Sequence, residues 1–292
     1  MADPEMFGDE LPPHEVYVDA FYIDKYEVTN RQFKEFVDTT GYVTDAERHG
    51  GSETMVPADE ALTPENIDNA TIIQGTDIGL IWREGVTWRT PEGQHSSIEE
   101  LMDHPVVHVS WNDANAYAQW VGKRLPTEAE WEKAASGGAM TNWFWSDELN
   151  MWFDEEMVAT VDDDIDSAGK YANYYGEHRK DVVYPKEVWD GYYGTAPVGS
   201  LQPNGYGLYD TAGNVFEWVS DWYQYDYFTN SPVNNPKGPE SGDDYWGLVT
   251  KVVKGGGWYL CECYLRPANR EPGGTEEHHD HGLGFRLALD AE

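Results

Sequence analysis

Cysteine is nearly absent from this chain: two residues in 292, Cys261 and Cys263, one position apart. That excludes a fold stapled by disulfides, because a bridge between i and i+2 closes a tiny ring and restrains almost none of the unfolded chain. Basic residues are scarce too, 19 Lys+Arg against 54 Asp+Glu, giving a formal net charge of −35. A polyanion of this size repels nucleic acid and anionic lipid surfaces, so neither is expected as a partner. No run approaches the roughly 18 apolar residues needed to cross a bilayer. The acidic start Met1-Ala-Asp-Pro-Glu5 lacks the apolar core of a signal peptide. A cytoplasmic protein is therefore favoured, with a secreted or periplasmic one open if an export signal was trimmed; cysteines that cannot staple a fold also suit a reducing compartment. Linkers, internal repeats and low-complexity tracts are missing as well. One domain over residues 14–292, after an N-terminal tail 1–13, is the organisation expected, although the length alone would allow two.

What is present builds a core. Hydrophobic residues make up 40% and aromatics 14%, with 13 Trp and 19 Tyr, which excludes a disordered acidic chain. The acids then read as a solvated shell, and 29 Gly with 16 Pro imply a loop-rich fold. Three helices are marked by their caps. Thr29 with Gln32 precedes Phe33, Phe36 and Val37, and Gly41 ends that helix. Ser110 caps a second, with Ala114, Tyr117, Ala118 and Val121 on one face and Gly122 after it. Thr127 with Glu130 caps a third, carrying Trp131, Ala134 and Ala135. Extended segments are expected at 16–23, 106–109, 251–254 and 284–289. The stretch 138–195 has no clear period, and a loop that long is normally functional or tied down.

Two groups of side chains suggest chemistry. In an extended segment residues i and i+2 share a face, so Cys261 and Cys263 can jointly hold a soft ion such as Cu(I) or Zn(II), or act as a redox pair. Arg266 and Arg270 nearby favour thiolate over thiol. His278, His279 and His281 could ligate Zn, Cu, Ni or Fe, but adjacent side chains diverge, and a solvated loop is the reading preferred for them. His104 and His108 fall on one face of an expected strand and read as structural. The acidic run 154–166 reads as an exposed insertion.

The chain resembles the formylglycine-generating enzymes (sulfatase-modifying factors) over nearly its whole length. The resemblance is carried by F-Y-I-D-K-Y-E-V-T-N at 21–30, G-Y-V-T-D-A-E-R at 41–48, W-R-T-P-E-G at 88–93 and H-P-V-V-H-V-S-W-N-D-A at 104–114. It continues through G-K-R-L-P-T-E-A-E-W-E at 122–132, G-T-A-P-V at 194–198, P-N-G-Y-G-L-Y-D at 203–210, G-N-V-F-E-W at 213–218, N-P-K-G-P at 235–239 and L-G-F-R at 283–286. It implies a single α+β domain of C-type-lectin-like fold, low in regular structure and stabilised by Ca2+. It also implies oxidation by O2 of a cysteine in a sulfatase Cys-x-Pro-x-Arg motif, with Cu(I) held by two cysteines that follow a glycine-rich segment. Cys261 and Cys263 fall in that window, after Gly255-Gly256-Gly257-Trp258. Their spacing is closer than the family's, and the family serine is replaced by Gly257, or by Trp258 if the gap is placed differently. By the same resemblance one calcium takes the side chains of Asn173 and Asp190 with the carbonyls of Tyr174 and Tyr192; a second takes Asp210 and Glu217 with the carbonyls of Gly213 and Val215.

The leading expectation is thus a copper-dependent oxidoreductase acting on a protein or peptide thiol, with Cys261 and Cys263 as ligands and catalytic groups and Trp258 and Arg266 lining the groove. A non-catalytic, calcium-stabilised binding module is the alternative. An iron-dependent C–S bond-forming enzyme is third, weakened because that branch draws its His ligands from a separate N-terminal domain.

Overall fold

The computed structural model describes residues 8–64, 66, 70–72, 78–93, 95–141, 143–145, 152–153, 159–160, 168–174, 190–192, 194–245, 247–260 and 262–291. Three of its helices begin where the caps require. In α1 (Asn30–Thr40), α4 (Trp111–Trp120) and α5 (Glu128–Ala135) the cap hydroxyls of Thr29, Ser110 and Thr127 accept from the backbone N–H three residues on, and the side chains of Gln32, Asp113 and Glu130 reach back to the cap N–H. Each such cap holds about 1 kcal/mol. Gly41 ends α1 in the left-handed conformation at φ 69°. A fourth capping box, Thr44 with Glu47, opens the short α2 (Asp45–His49), and α3 spans Ala58–Ala61.

Strands are short. β1 (Phe21–Ile23) pairs antiparallel with β13 (Ala288–Asp290), tying the two ends of the chain together. β2 (Gly51–Pro57), β3 (Ala70–Ile72) and β4 (Ile78–Glu84) form a sheet in the order β2-β4-β3. Two-residue ribbons join β5 (Trp152–Phe153) to β6 (Ala159–Thr160) and β8 (Asp244–Tyr245) to β9 (Leu248–Val249). The central sheet runs β11-β10-β7-β12, from β7 (Phe216–Trp222), β10 (Lys251–Lys254), β11 (Glu271–Pro272) and β12 (Leu283–Gly284), with β12 parallel to β7. The fold is α+β, as expected.

The main core lies between α1, α4 and this sheet. Phe33, Trp88, Trp218, Phe285 and Leu287 are essentially sealed from solvent. Phe33 alone packs edge-on against Trp88 and Phe285 and stacks on Tyr117. Burying one such side chain is worth about 1.5–3 kcal/mol.

Two segments depart from expectation. Residues 106–109 form no strand, because the backbone N–H of Val106 and of His108 donate in different directions, to Val28 O and Asp280 O, and His108 sits at φ 58°. Residues 8–10, assigned to a tail, form a 3-10 turn docked on the domain: Asp9 accepts from the Tyr223 hydroxyl, and Glu10 takes both terminal nitrogens of Arg266. The run 154–166 falls outside the described residues except at 159–160.

Candidate functional site

Strand β10 leads directly into Gly255-Gly256-Gly257. Gly255 and Gly256 take φ of 96° and 74°, and a Cβ on Gly256 would come within 2.8 Å of Leu265 Cδ2 and 3.0 Å of Tyr264 O. Glycine is what lets the chain double back onto the 3-10 turn Glu262–Leu265. Cys263 lies in that turn, 1% exposed and disulfide-bonded, and no described cysteine is free. Cys261 lies outside the described residues. Cys263 is thus in its oxidised state, a form that a redox pair also adopts.

Arg266 does not face open solvent. Its Nε donates to Cys263 O at 3.0 Å, while both terminal nitrogens bind the Glu10 carboxylate at 2.6 Å. It is a clamp on the turn rather than a free groove-lining cation. Arg270 is likewise committed, to Glu128. Trp258 is half-buried against the main core, with its ring edge-on to Tyr259 and to His281.

The histidine segment is folded inward instead of forming a solvated loop, and its imidazoles diverge. His278 Nε2 stands 3.2 Å from Asp280 Oδ2. Burial alone would lower its pKa, but that carboxylate raises it overall. His279 Nε2 meets His49 Nδ1 at 3.1 Å and its Nδ1 meets Ser52 Oγ at 2.8 Å; burial, with His278 and His49 beside it, lowers it to about 4. Ser52 Oγ also lies 2.8 Å from His108 Nδ1, whose other nitrogen faces Pro91 O at 3.0 Å. Since a carbonyl only accepts, His108 Nε2 carries the hydrogen and its Nδ1 accepts. His281 lies over His108 and reaches Glu92. Among the described residues no three His, Cys, Asp or Glu side chains are placed to hold a metal ion. Sequence reasoning missed His49, Ser52 and Glu92, which meet this segment through side-chain contacts and a bridge between Glu53 and Asp280. His104 stays apart, on Thr195 Oγ1 at 2.9 Å.

The oxygen-bearing residues do gather. Asn214 N donates to Asn173 O at 2.8 Å, and a Cβ on Gly213 (φ 83°) would lie 1.8 Å from that same oxygen, so only glycine permits the approach. On one side of this contact Asn173 donates from Nδ2 to Gly194 O, leaving its carbonyl oxygen directed elsewhere. Asp190 is pushed up to about 6 by burial although the backbones of Tyr192 and Tyr174 donate to it. On the other side, buried Glu27, Asp210 and Glu217 share one guanidinium, Arg286. Burial raises Asp210 to about 6 and Glu27 well above its ordinary value. Glu217 is bound through both oxygens, to Arg286 Nε and Nη2 at 2.6 Å each and to Trp131 Nε1 at 2.8 Å. Three carboxylates against one buried guanidinium leave a negative surplus, although among the described residues no three acids converge on one metal position.

The chain matches the Sulfatase-modifying factor enzyme 1-like domain over residues 2–291. It is 41% identical to the formylglycine-generating enzyme of Streptomyces coelicolor over 97% of this chain and 82% of that one, and 39% identical to the bovine enzyme of that name over 99% and 71%. A bovine relative named inactive C-alpha-formylglycine-generating enzyme 2 is 38% identical over 76% of this chain and 66% of its own. Among solved structures, PvdO from Pseudomonas aeruginosa superimposes with a TM-score of 0.59 at 26% identity, covering 97% of this chain and 85% of that one.

Proposed function

Because the chain belongs to the sulfatase-modifying factor enzyme 1-like family, we propose that it is a copper-dependent oxidase that uses O2 to convert a cysteine of a sulfatase-type protein into formylglycine. The observation that supports this reading most is the position of its only two cysteines in the sequence, a few residues after a glycine turn that folds Cys263 against the core, in a chain about 40% identical to formylglycine-generating enzymes. Once reduced, Cys261 and Cys263 are the donors for Cu(I), a soft ion content with few thiolates. Bound copper would supply the redox chemistry with O2. The chain's own part is positional: Gly255 and Gly256 bend the backbone, Arg266 locks the turn through Glu10 and Cys263 O, and Trp258 forms an aromatic wall beside it. Calcium would be held by the Asn173, Tyr174, Asp190, Tyr192 set and by the Asp210, Gly213, Val215, Glu217 set, where a cation offsets the surplus of buried acid. Its role there is to hold loops, with no part in the reaction.

A second reading, a non-catalytic calcium-stabilised binding module, is favoured by one observation: Cys263 is disulfide-bonded and sealed from solvent. The test is titration of anaerobically reduced protein with Cu(I) against a competing chelator, followed by incubation with a Cys-x-Pro-x-Arg peptide under O2. One tight equivalent, lost in Cys261→Ser and in Cys263→Ser, with the mass loss of thiol-to-aldehyde conversion in the peptide, is the expected result. Copper binding that persists without the thiols, or an unreacted peptide, selects the binding module.

A further inference from the structure

His281 has one ring nitrogen satisfied and the other buried without a partner. Nε2 stands 3.1 Å from Glu92 Oε1. An ionised carboxylate only accepts, so Nε2 carries a hydrogen, and in the neutral ring Nδ1 is then a bare lone pair. That Nδ1 is buried without a hydrogen-bonding partner, in a side chain 9% exposed. The ring is wedged in place: His108 stacks behind it at 5.4 Å and 24°, itself pinned at both nitrogens by Ser52 and Pro91 O. The Trp258 ring stands edge-on to it at 5.5 Å between centroids. Tyr259 closes the next position, since a Cβ on Gly282 would meet its ring at 2.4 Å. An imidazole held by a carboxylate at one nitrogen and left without a partner at the other is the arrangement that prepares a base for an incoming donor.

We propose that His281 Nδ1 is the acceptor for the S–H proton of the substrate cysteine, with Glu92 fixing the tautomer that leaves Nδ1 free. The inference rests on the peptide-thiol substrate proposed above. In this step the S–H bond breaks, an Nδ1–H bond forms, and the electron pair stays on sulfur. The imidazolium is offset by Glu92, and no oxidant is consumed. The thiolate so produced is the form that can ligate a soft metal or attack another sulfur. Trp258 supplies the apolar wall against which the thiol side chain enters.

The experiment is calorimetric titration of reduced, metal-free protein with a Cys-x-Pro-x-Arg peptide and its Ala-x-Pro-x-Arg counterpart. Wild type should prefer the Cys peptide by about tenfold, the scale of one neutral hydrogen bond. His281→Phe, which keeps a ring between His108 and Trp258, should bind both peptides alike, at the wild-type affinity for the Ala peptide. Glu92→Lys, on a side chain 62% exposed, places a donor at Nε2, reverses the tautomer and should also abolish the preference. A preference that survives in either folded variant overturns the assignment. Equal binding of both peptides by wild type overturns the role of His281 and leaves the oxidase reading standing. Wild type that binds neither peptide removes the thiol-substrate reading, and this inference with it.

Discussion

Arg286→Met should destabilise the protein more than any surface change. The guanidinium is sealed from solvent, donates from Nε and Nη2 to Glu217 at 2.6 Å, and from Nη2 to Tyr209 O at 2.9 Å and Asp210 O at 3.2 Å. Methionine fills much of the same volume, so packing loss is small and the charge decides the outcome. Removing one partner of a buried pair costs about 3–5 kcal/mol, because the other charge is left uncompensated. For a large domain each kcal/mol moves the melting temperature by about 2–4 °C, so the expected drop is roughly 6–20 °C. Glu27 and Asp210, already pushed up by burial, rise further without the guanidinium. They ionise in the unfolded chain at lower pH than in the folded one, so the deficit should be larger at pH 8 than at pH 5. Arg286→Met with Glu217→Gln should recover part of the loss, since the amide needs no counter-ion. Calcium should also restore stability to the single variant if a cation occupies this cluster. Circular-dichroism melts at both pH values, with and without chelator, read all four effects. A drop under about 1 kcal/mol at pH 8, where a buried charge should be at its most costly, or a greater loss at pH 5, would refute the electrostatic argument.

Gly213→Ala should cost at least as much through sterics, since its Cβ would lie 1.8 Å from Asn173 O at a backbone φ of 83°; urea unfolding with a midpoint near wild type would show the two loops free to part. Asp221→Asn should instead stabilise above neutrality. Burial, with Glu128 beside it, pushes Asp221 up to about 7. A folded pKa above the unfolded one favours the native state at low pH and loses that contribution as pH rises through about 7. The asparagine variant should therefore melt higher than wild type at pH 8 and show a flatter pH slope between 5 and 8. A steeper slope would mean that the carboxylate is stabilised where it sits.

The helices α1, α4 and α5 were legible because a capping box is written within four residues. The same box, Thr44 with Glu47, was passed over at α2, where five residues leave no apolar stripe to accompany it. The sheet β2-β4-β3 was not legible, since Glu53 finds Trp82 only through pairing across nearly thirty residues. Residues 284–289 were expected as one strand. Instead β12 and β13 end either side of a turn inward, at which Arg286 reaches Glu217 while Phe285 and Leu287 bury their own side chains. At the site, the glycine run and the cysteine window could be read from local sequence. The clamp of Arg266 on Glu10 and the seat of His281 between His108, Trp258 and Glu92 could not, because each joins segments far apart in the chain.

The surplus of acid inside this protein differs in kind from the surplus on its surface. A solvated carboxylate is screened within about 10 Å in ordinary salt and costs little. Glu27, Asp210 and Glu217 have no such screening, and one guanidinium balances only one of them. Protonation is one remedy, and the upward shifts of Glu27 and Asp210 take that direction. A divalent cation is the other, and it would restore those same groups to their ionised state. The two remedies part experimentally: protonation stabilises the native state towards acid pH, whereas cation binding stabilises it towards neutral pH, where the ligands are ionised. A protein carrying calcium in this cluster should therefore show a chelator-sensitive melting temperature at pH 8 and one nearly indifferent to chelator at pH 5. Equal sensitivity at both would place the ion among oxygens that do not titrate, and Arg286 with its three carboxylates would then be a structural network alone.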